Sequence, residues 1–299
     1  MEKRYLRSKW VPGKTPVAVV MISLNEGHNI EAVLQNISGW AQEVFLVDSL
    51  SGDDTVEIAL RYGVHVIQRP FRNFGDQWNF SLNELPINAP WTMKLDPDER
   101  LTNELKSSIH SILEARGCEG VILQRRLWFM GVMLPITQPL LRIWRTGICS
   151  FTEVPVNEHP VVLGNIVHAK GFLEHHDSPN LEHWIDKQNQ YTSAEAAILY
   201  NESKLAYTPK LFGKRLQRRM WMKKNFHKVP GRFFLFFLYN YIIQGAWQAG
   251  VVGYIWAKLR SDVMRFIDYK YREMRLIGQY PAKRRYSSGR ADDRVKQYK

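Results

Sequence analysis

Cysteine is nearly absent from this chain: there are two in 299 residues, Cys118 and Cys149. They show neither a pairing pattern nor zinc-ligand spacing, which fits a reducing compartment. The amino end carries Lys3, Arg4, Arg7 and Lys9 but no apolar run of leader length, which argues against secretion. No internal repeat or low-complexity tract stands out. A chain of this length can bury a sizeable core, as one large domain or a domain with an appendage.

Acidic residues are missing from one stretch. Residues 210–232 hold nine Lys and Arg and no Asp or Glu, and residues 233–257 hold no charged side chain at all. The whole chain divides in the same way. Residues 1–200 carry 18 basic and 23 acidic side chains, net −5, whereas residues 201–299 carry 23 and 6, net +17. A neutral-to-acidic body with a strongly basic tail points to an anionic surface, either membrane or nucleic acid.

What is present in the first hundred residues is alternation. Val17-Ala18-Val19-Val20-Met21-Ile22 is a short β-branched apolar run, read as a buried strand. From Asn29 the apolar positions Ile30, Val33, Leu34 and Ile37 follow helical spacing. Further strands are read at 43–48, 64–67 and 91–95, with helices at 55–62, 76–84 and 103–116. Strand–helix alternation with short links predicts a parallel, doubly wound sheet with helices on both faces. Ligands bind such sheets beyond the carboxyl ends of the strands. Residues 23–28, 48–54 and 96–99 all fall there. Val121-Ile122-Leu123 and Val161-Val162-Leu163 are read as strands extending the sheet, and 181–200 as a helix.

The densest chemical signal is Leu95-Asp96-Pro97-Asp98-Glu99-Arg100, with three carboxylates in four residues. Like charges packed this tightly repel unless a cation sits among them. An oxygen-rich cluster at a strand end suits Mg²⁺ or Mn²⁺ with phosphate completing the shell. On an extended segment Asp96 and Asp98 point the same way, and Glu99 points elsewhere and reads as a bystander.

Several segments together resemble a known family: Ile22-Ser23-Leu24-Asn25-Glu26, Val47-Asp48-Ser49, Asp53-Asp54-Thr55-Val56-Glu57-Ile58-Ala59, Arg69-Pro70-Phe71, Phe74-Gly75-Asp76-Gln77-Trp78-Asn79-Phe80 and the acidic cluster. Their order and spacing are similar to family-2 glycosyltransferases of the GT-A fold. The nearer likeness is to bacterial enzymes of the lipopolysaccharide inner core, described as β-1,4-glucosyltransferases. It covers roughly residues 15–200.

The resemblance implies a Rossmann-like, mostly parallel sheet and an inverting transfer of a hexose from a nucleotide sugar, with UDP-glucose or a similar UDP-hexose as donor. The acceptor would be a lipopolysaccharide-core or other lipid-linked saccharide, and Mg²⁺ or Mn²⁺ would assist. Ser23, Asn25, Glu26 and Asp48 match positions along the base and ribose. Gln77 and Asn79 match positions lining the donor pocket. Asp96 matches a contact to ribose or a metal-bound water, and Asp98 the metal ligand. His175 matches a histidine at the metal or diphosphate, and Arg142 an arginine holding phosphate or acceptor. Glu158 matches the catalytic base, with Glu153 and Asp177 as other candidates; Asn157 stands where relatives have His. The turn after Asp48 departs from the family's Ser-Gly-Ser-Thr-Asp at Leu50 and Gly52. Because Leu50 is ill-suited to positive φ, a different turn is expected.

The expected organisation is a GT-A domain over 15–205, a basic amphipathic and aromatic helical membrane-associating region over 206–280 and a mobile polar tail over 281–299. Within 233–257, Asn240, Gln244 and Gln248 sit four apart as a polar stripe. That favours a helix in a lipid interface; a spanning helix or one packed on the body or on a second subunit are the alternatives. The expected location is the cytoplasmic face of the inner membrane, peripheral or monotopic, with no nucleic acid partner and a possible homo-oligomer. Competing readings are a metal-dependent phosphohydrolase using Asp96 and Asp98, and a nucleic-acid binder using the tail.

Overall fold

The computed structural model describes residues 3–5, 9–152, 159–201 and 229–278, with a few isolated positions between 210 and 225. These residues form two compact units. One comprises residues 3–126 and 137–176, the other residues 127–136 and 177–278.

The first unit is built on a nine-stranded sheet. Its strands are β1 (Lys3–Tyr5), β2 (Thr15–Ser23), β3 (Ala41–Asp48), β4 (His65–Gln68), β5 (Trp91–Lys94), β6 (Glu99–Leu101), β7 (Gly120–Phe129), β8 (Val132–Arg145) and, after a separate two-stranded ribbon of β9 (Ser150–Phe151) and β10 (Pro160–Val161), β11 (Ile166–His176). The sheet order is β1-β4-β3-β2-β5-β8-β7-β11-β6. The four central strands β4, β3, β2 and β5 run parallel, while β1 and β8 join them antiparallel. The helices are α1 (Gly27–Ile37), α2 (Thr55–Arg61), α3 (Phe74–Glu84) and α4 (Asn103–Ala115).

Both faces of the central strands are buried, which explains their unbroken apolar runs. Val17, Val19, Met21, Val44 and Leu46 pack with Ile30 and Leu34 of α1, Ile58 of α2 and Ile109 of α4. On the other face Ala18, Val20, Phe45 and Val47 pack with Trp78 of α3. The period-two alternation therefore sorts the helices onto both sides. One strand expectation changes. Val161 ends β10, which among the described residues pairs with β9 in a separate two-stranded ribbon rather than with the main sheet.

The second unit contains α5 (Leu181–Tyr200), α6 (Arg232–Leu238) and α7 (Gly250–Ile277). Between α6 and α7 lie a π turn, Tyr239–Ile243, and a short 3-10 turn, Ala246–Ala249. The core is Phe129, Leu134, Trp184, Ala246, Trp256, Ala257 and Val263. Lys270 Nζ fastens α7 to α5 by donating to Asn189 Oδ1 (2.6 Å), Thr192 Oγ1 (2.8 Å) and Ser193 Oγ (2.8 Å).

The uncharged stretch 233–257 is thus not one helix. Gly245 at φ 79° turns the chain, and Gly253 lets α7 approach so closely that a Cβ there would meet Ala246 O at 1.7 Å. The expected polar stripe breaks up for the same reason. Asn240 is buried and donates to Phe236 O (2.7 Å), and Gln244 donates to the Tyr239 hydroxyl (2.5 Å). No helix among the described residues is long and apolar enough to cross a membrane. Most of the basic stretch 210–228, and all of 281–299, lie outside the described residues.

Leu50 does enter the left-handed region, at φ 62°, and is partly exposed. The turn is reached despite the residue, at a backbone cost of about 1–2 kcal/mol. Leu50→Gly should raise the unfolding free energy in urea by about 1 kcal/mol, once glycine's unfolded-state entropy is set against the relieved strain. A loss of that size would show that the Leu50 side chain matters more than its backbone.

Candidate active site

The site begins with register. At the carboxyl ends of the parallel strands Ser23 pairs with Asp48, and Asp48 with Gln68, so three polar residues stand in one row. The Asp48 carboxylate is buried and accepts four hydrogen bonds: from Ser23 Oγ (2.8 Å), Ser51 N (2.8 Å), Ser51 Oγ (2.5 Å) and Gln68 Nε2 (3.0 Å). A carboxylate offers about four acceptor directions, so Asp48 is saturated by its own loops. Gln68 went unnoticed in the sequence because only the strand pairing brings it to Asp48.

The first loop and this turn are laced together. Asn25 N donates to Ser51 Oγ (2.8 Å), and Gly52 N donates to Asn25 Oδ1 (2.9 Å). Glu26 N donates to Thr55 Oγ1 (2.9 Å), Gly27 N to Asp53 Oδ2 (3.0 Å) and Asn29 Nδ2 to Glu26 Oε2 (3.0 Å). Gln77 of α3 is buried beside them, donating to Ser49 Oγ (3.3 Å) and accepting from Arg69 Nη1 (2.9 Å). Asn79 does not share that setting. Two positions along a helix face different directions, and its amide grips the Phe151 backbone at N (2.8 Å) and O (3.0 Å).

The acidic loop follows β5. Its position is fixed by the pairing of β6 with β11, where Glu99 lies opposite His175. His176 N donates to Asp98 O (2.8 Å), and His175 Nε2 lies 3.3 Å from Asp98 Oδ2. Asp177 comes two residues after His175 along the chain and is ion-paired to Lys187 (2.8 Å). Asp98, His175 and Asp177 each offer a ligand atom, all within 4.8 Å of one another. Two carboxylates and one imidazole form a donor set that fits a divalent cation. Asp177, an alternative base in the sequence reading, is by its neighbours a candidate ligand.

Arg142 anchors this loop from β8. Its strand pairs Ile143 with Met93, so Arg142 arrives beside the end of β5. The buried guanidinium donates from Nη2 to Asp96 Oδ2 (2.8 Å) and to Glu99 Oε1 (2.5 Å). Glu99 Oε2 accepts from Asp96 N (3.0 Å), and Arg125 approaches Glu99 at 3.8 Å. Arg100 ties the loop to α1, donating to Pro97 O (2.6 Å), Glu99 O (2.8 Å) and Asn29 O (3.0 Å).

Two expectations change here. The Nη2 arm of Arg142 is taken up by Asp96 and Glu99. Glu99, fully buried, is the hub of the loop: the turn at Pro97 and Asp98 brings its carboxylate to Asp96 N and, beside Asp96, to Arg142. Burial pushes the Asp96 carboxyl up, but Arg142 and Lys94 outweigh it and hold the group below its ordinary range. Burial dominates at Glu99 and leaves its carboxyl raised despite Arg142. Burial likewise pulls Arg142 down, yet Asp96 and Glu99 more than restore it, so the guanidinium stays charged. The expected base, Glu158, and its alternative Glu153 lie outside the described residues.

Glu99→Ala would leave a buried guanidinium with one carboxylate fewer and Asp96 N without its acceptor. The expected loss of unfolding free energy in a urea titration is about 3–5 kcal/mol. An exposed carboxylate at such a position would cost within about 0.5 kcal/mol, and a value that small would contradict the hub.

Residues 18–172 match the model of glycosyl transferase family 2. An uncharacterized glycosyltransferase of Rickettsia prowazekii (strain Madrid E) is 26% identical over 204 residues, spanning 63% of this chain and 69% of the relative. The lipopolysaccharide core biosynthesis glycosyltransferase LpsC of Rhizobium meliloti (strain 1021) is 25% identical over 254 residues, 81% of this chain and 86% of LpsC. Among solved structures, a mannosyltransferase from Pyrobaculum calidifontis, in complex with GDP-Man and Mn²⁺, superposes with a TM-score of 0.51 at 14% identity, over 88% of this chain and 90% of its own. That likeness concerns the fold. With more than half of its length under the family model and the loops of its parallel strands laced around an acidic cluster, the chain belongs to glycosyl transferase family 2.

Proposed function

We propose that the protein is an inverting hexosyltransferase. It would move a hexose from a nucleotide sugar, UDP-glucose or a similar UDP-hexose, to a lipopolysaccharide-core or other lipid-linked saccharide at a membrane face. The observation that carries this reading is the meeting of Asp98, His175 and Asp177 beyond the carboxyl ends of the parallel strands. Doubly wound sheets bind nucleotides at that edge. LpsC, by its name an enzyme of lipopolysaccharide core biosynthesis, supports the acceptor class. The mannosyltransferase solved with GDP-Man and Mn²⁺ supports a nucleotide-sugar donor and a divalent ion.

The roles proposed for the site residues rest on the resemblance. Ser23, Asn25 and Glu26 frame the base and ribose, with Asp48 and Gln77 shaping that wall from behind. Asp98 and His175 hold the cation, joined by Asp177. A bound Mg²⁺ or Mn²⁺ would neutralise charge on the departing nucleoside diphosphate. Asp96, kept ionised by Arg142, faces the donor's ribose or the ion's water. A carboxylate, Glu158 on the resemblance, takes the acceptor hydroxyl's proton as that oxygen attacks the anomeric carbon. The bond to the diphosphate breaks from the opposite face, so configuration inverts.

The test is a panel of nucleotide sugars with Mg²⁺ or Mn²⁺, read by thermal shift and by release of nucleoside diphosphate. One UDP-hexose should stand out, and a chelator should stop turnover until metal is restored. Asp98→Ala should lower turnover by at least about a hundredfold, several kcal/mol of lost charge stabilisation. Undiminished turnover in Asp98→Ala with metal removed would overturn the reading.

A further inference from the structure

Soluble proteins rarely show a broad apolar surface without using it. In the second unit one element shows such a surface on one side while building the core with the other. Phe237, Tyr241, Ala246 and Trp256 face inward. Phe234 (63% exposed), Leu235, Ile242, Ile243 (74%), Trp247 and Val251 (75%) face solvent. Along α6 and the π turn, exposed Tyr239 lies four residues after Leu235 and three and four before Ile242 and Ile243, so with Phe234 they form one stripe. α6 runs back along α7: Ser261 Oγ donates to Phe233 O (2.6 Å), and the Phe237 and Tyr241 rings both meet Tyr254 edge-on. The short helix, π turn and Gly245 bend are held by these contacts, so the exposed stripe belongs to a packed element.

We propose that this surface docks on a bilayer rich in anionic lipid headgroups. It deepens, and rests on, the reading of an enzyme working at a membrane face. Three features choose this occupant. Residues 233–257 carry no charge, so the surface presents no ionised group to a hydrocarbon boundary. Its aromatic members include Trp247 and Tyr239, whose amphipathic rings suit headgroup depth. The flanking sequence is cationic, with nine basic and no acidic side chains over 210–232 and a net +17 over 201–299. That charge attracts anionic lipid. The same charge opposes pairing with a second copy, which would bring +17 against +17.

The test uses the full chain in vesicle flotation, with phosphatidylcholine alone and with phosphatidylcholine mixed with phosphatidylglycerol. The wild type should float with the mixed vesicles, stay below with phosphatidylcholine alone, and be released by high salt. The double variant Ile243→Ser, Trp247→Ser should partition at least about tenfold less, with an unchanged thermal unfolding midpoint. Nucleoside diphosphate release without vesicles, followed in parallel, reports on the transferase reading alone; its absence leaves a positive flotation result standing. The proposal is overturned if the wild type ignores anionic vesicles, or if the double variant floats equally well. It is also overturned if the substitutions abolish a dimer seen by light scattering while leaving flotation unchanged.

Discussion

The buried guanidinium of Arg142 is the constraint from which the site follows. Three carboxylates at the end of one strand cannot share a small volume without a compensating cation. Arg142 supplies it from β8, held by Asp96 and Glu99 at hydrogen-bond distance. Taking such charges out of water costs several kcal/mol each, and close pairing is what offsets it. With Asp96 and Glu99 turned to Arg142, Asp98 is the member of the cluster left facing His175. The loop thus commits Asp96 and Glu99 to an internal cation and leaves Asp98 beside His175 and Asp177, a donor set that fits a divalent ion. Arg100 adds a second restraint by fastening the loop backbone to α1.

The same economy of polar groups governs the other loops at this edge. Asp48 is spent on Ser23, Ser51 and Gln68, and Asp53 on Gly27 and Thr55. Carboxylates that look like ligand contacts in the sequence act here as staples that shape a backbone surface. A preorganised surface of this kind serves binding because little has to be reordered when a ligand arrives.

How much the sequence disclosed depends on the distance over which each feature is decided. The parallel core was readable because β2 and β3 are apolar on both faces and the helices after them, α1 and α2, bury their apolar residues at helical spacing. The acidic cluster after β5 stands out in the sequence, while the separate roles of Asp96 and Asp98 come from the family resemblance. Glu99 stays outside the ligand cluster as expected, but its buried role escapes the sequence: Pro97 and Asp98 form a turn rather than an extended segment, and Arg142 arrives from β8. Gln68 and Asp177 gained their partners only through strand register and the turn out of β11. Leu50 shows a local preference overruled by the hydrogen bonds closing the turn around Asp48. The uncharged run 233–257 invited a single helix, yet Gly245 and the close approach at Gly253 fold it back on itself. Composition described that stretch correctly as apolar and aromatic; only packing decides which half becomes core.

The central claim is that Asp98, His175 and Asp177 form one cation site at the mouth of the nucleotide-binding edge. Anomalous diffraction from crystals grown with Mn²⁺ and a nucleoside diphosphate tests it most directly. The predicted result is a single strong peak within about 2.5 Å of an Asp98 oxygen and His175 Nε2, with diphosphate oxygens completing the shell. A strong peak elsewhere, with Asp98 and His175 still bonded to each other and no ion between them, would contradict it.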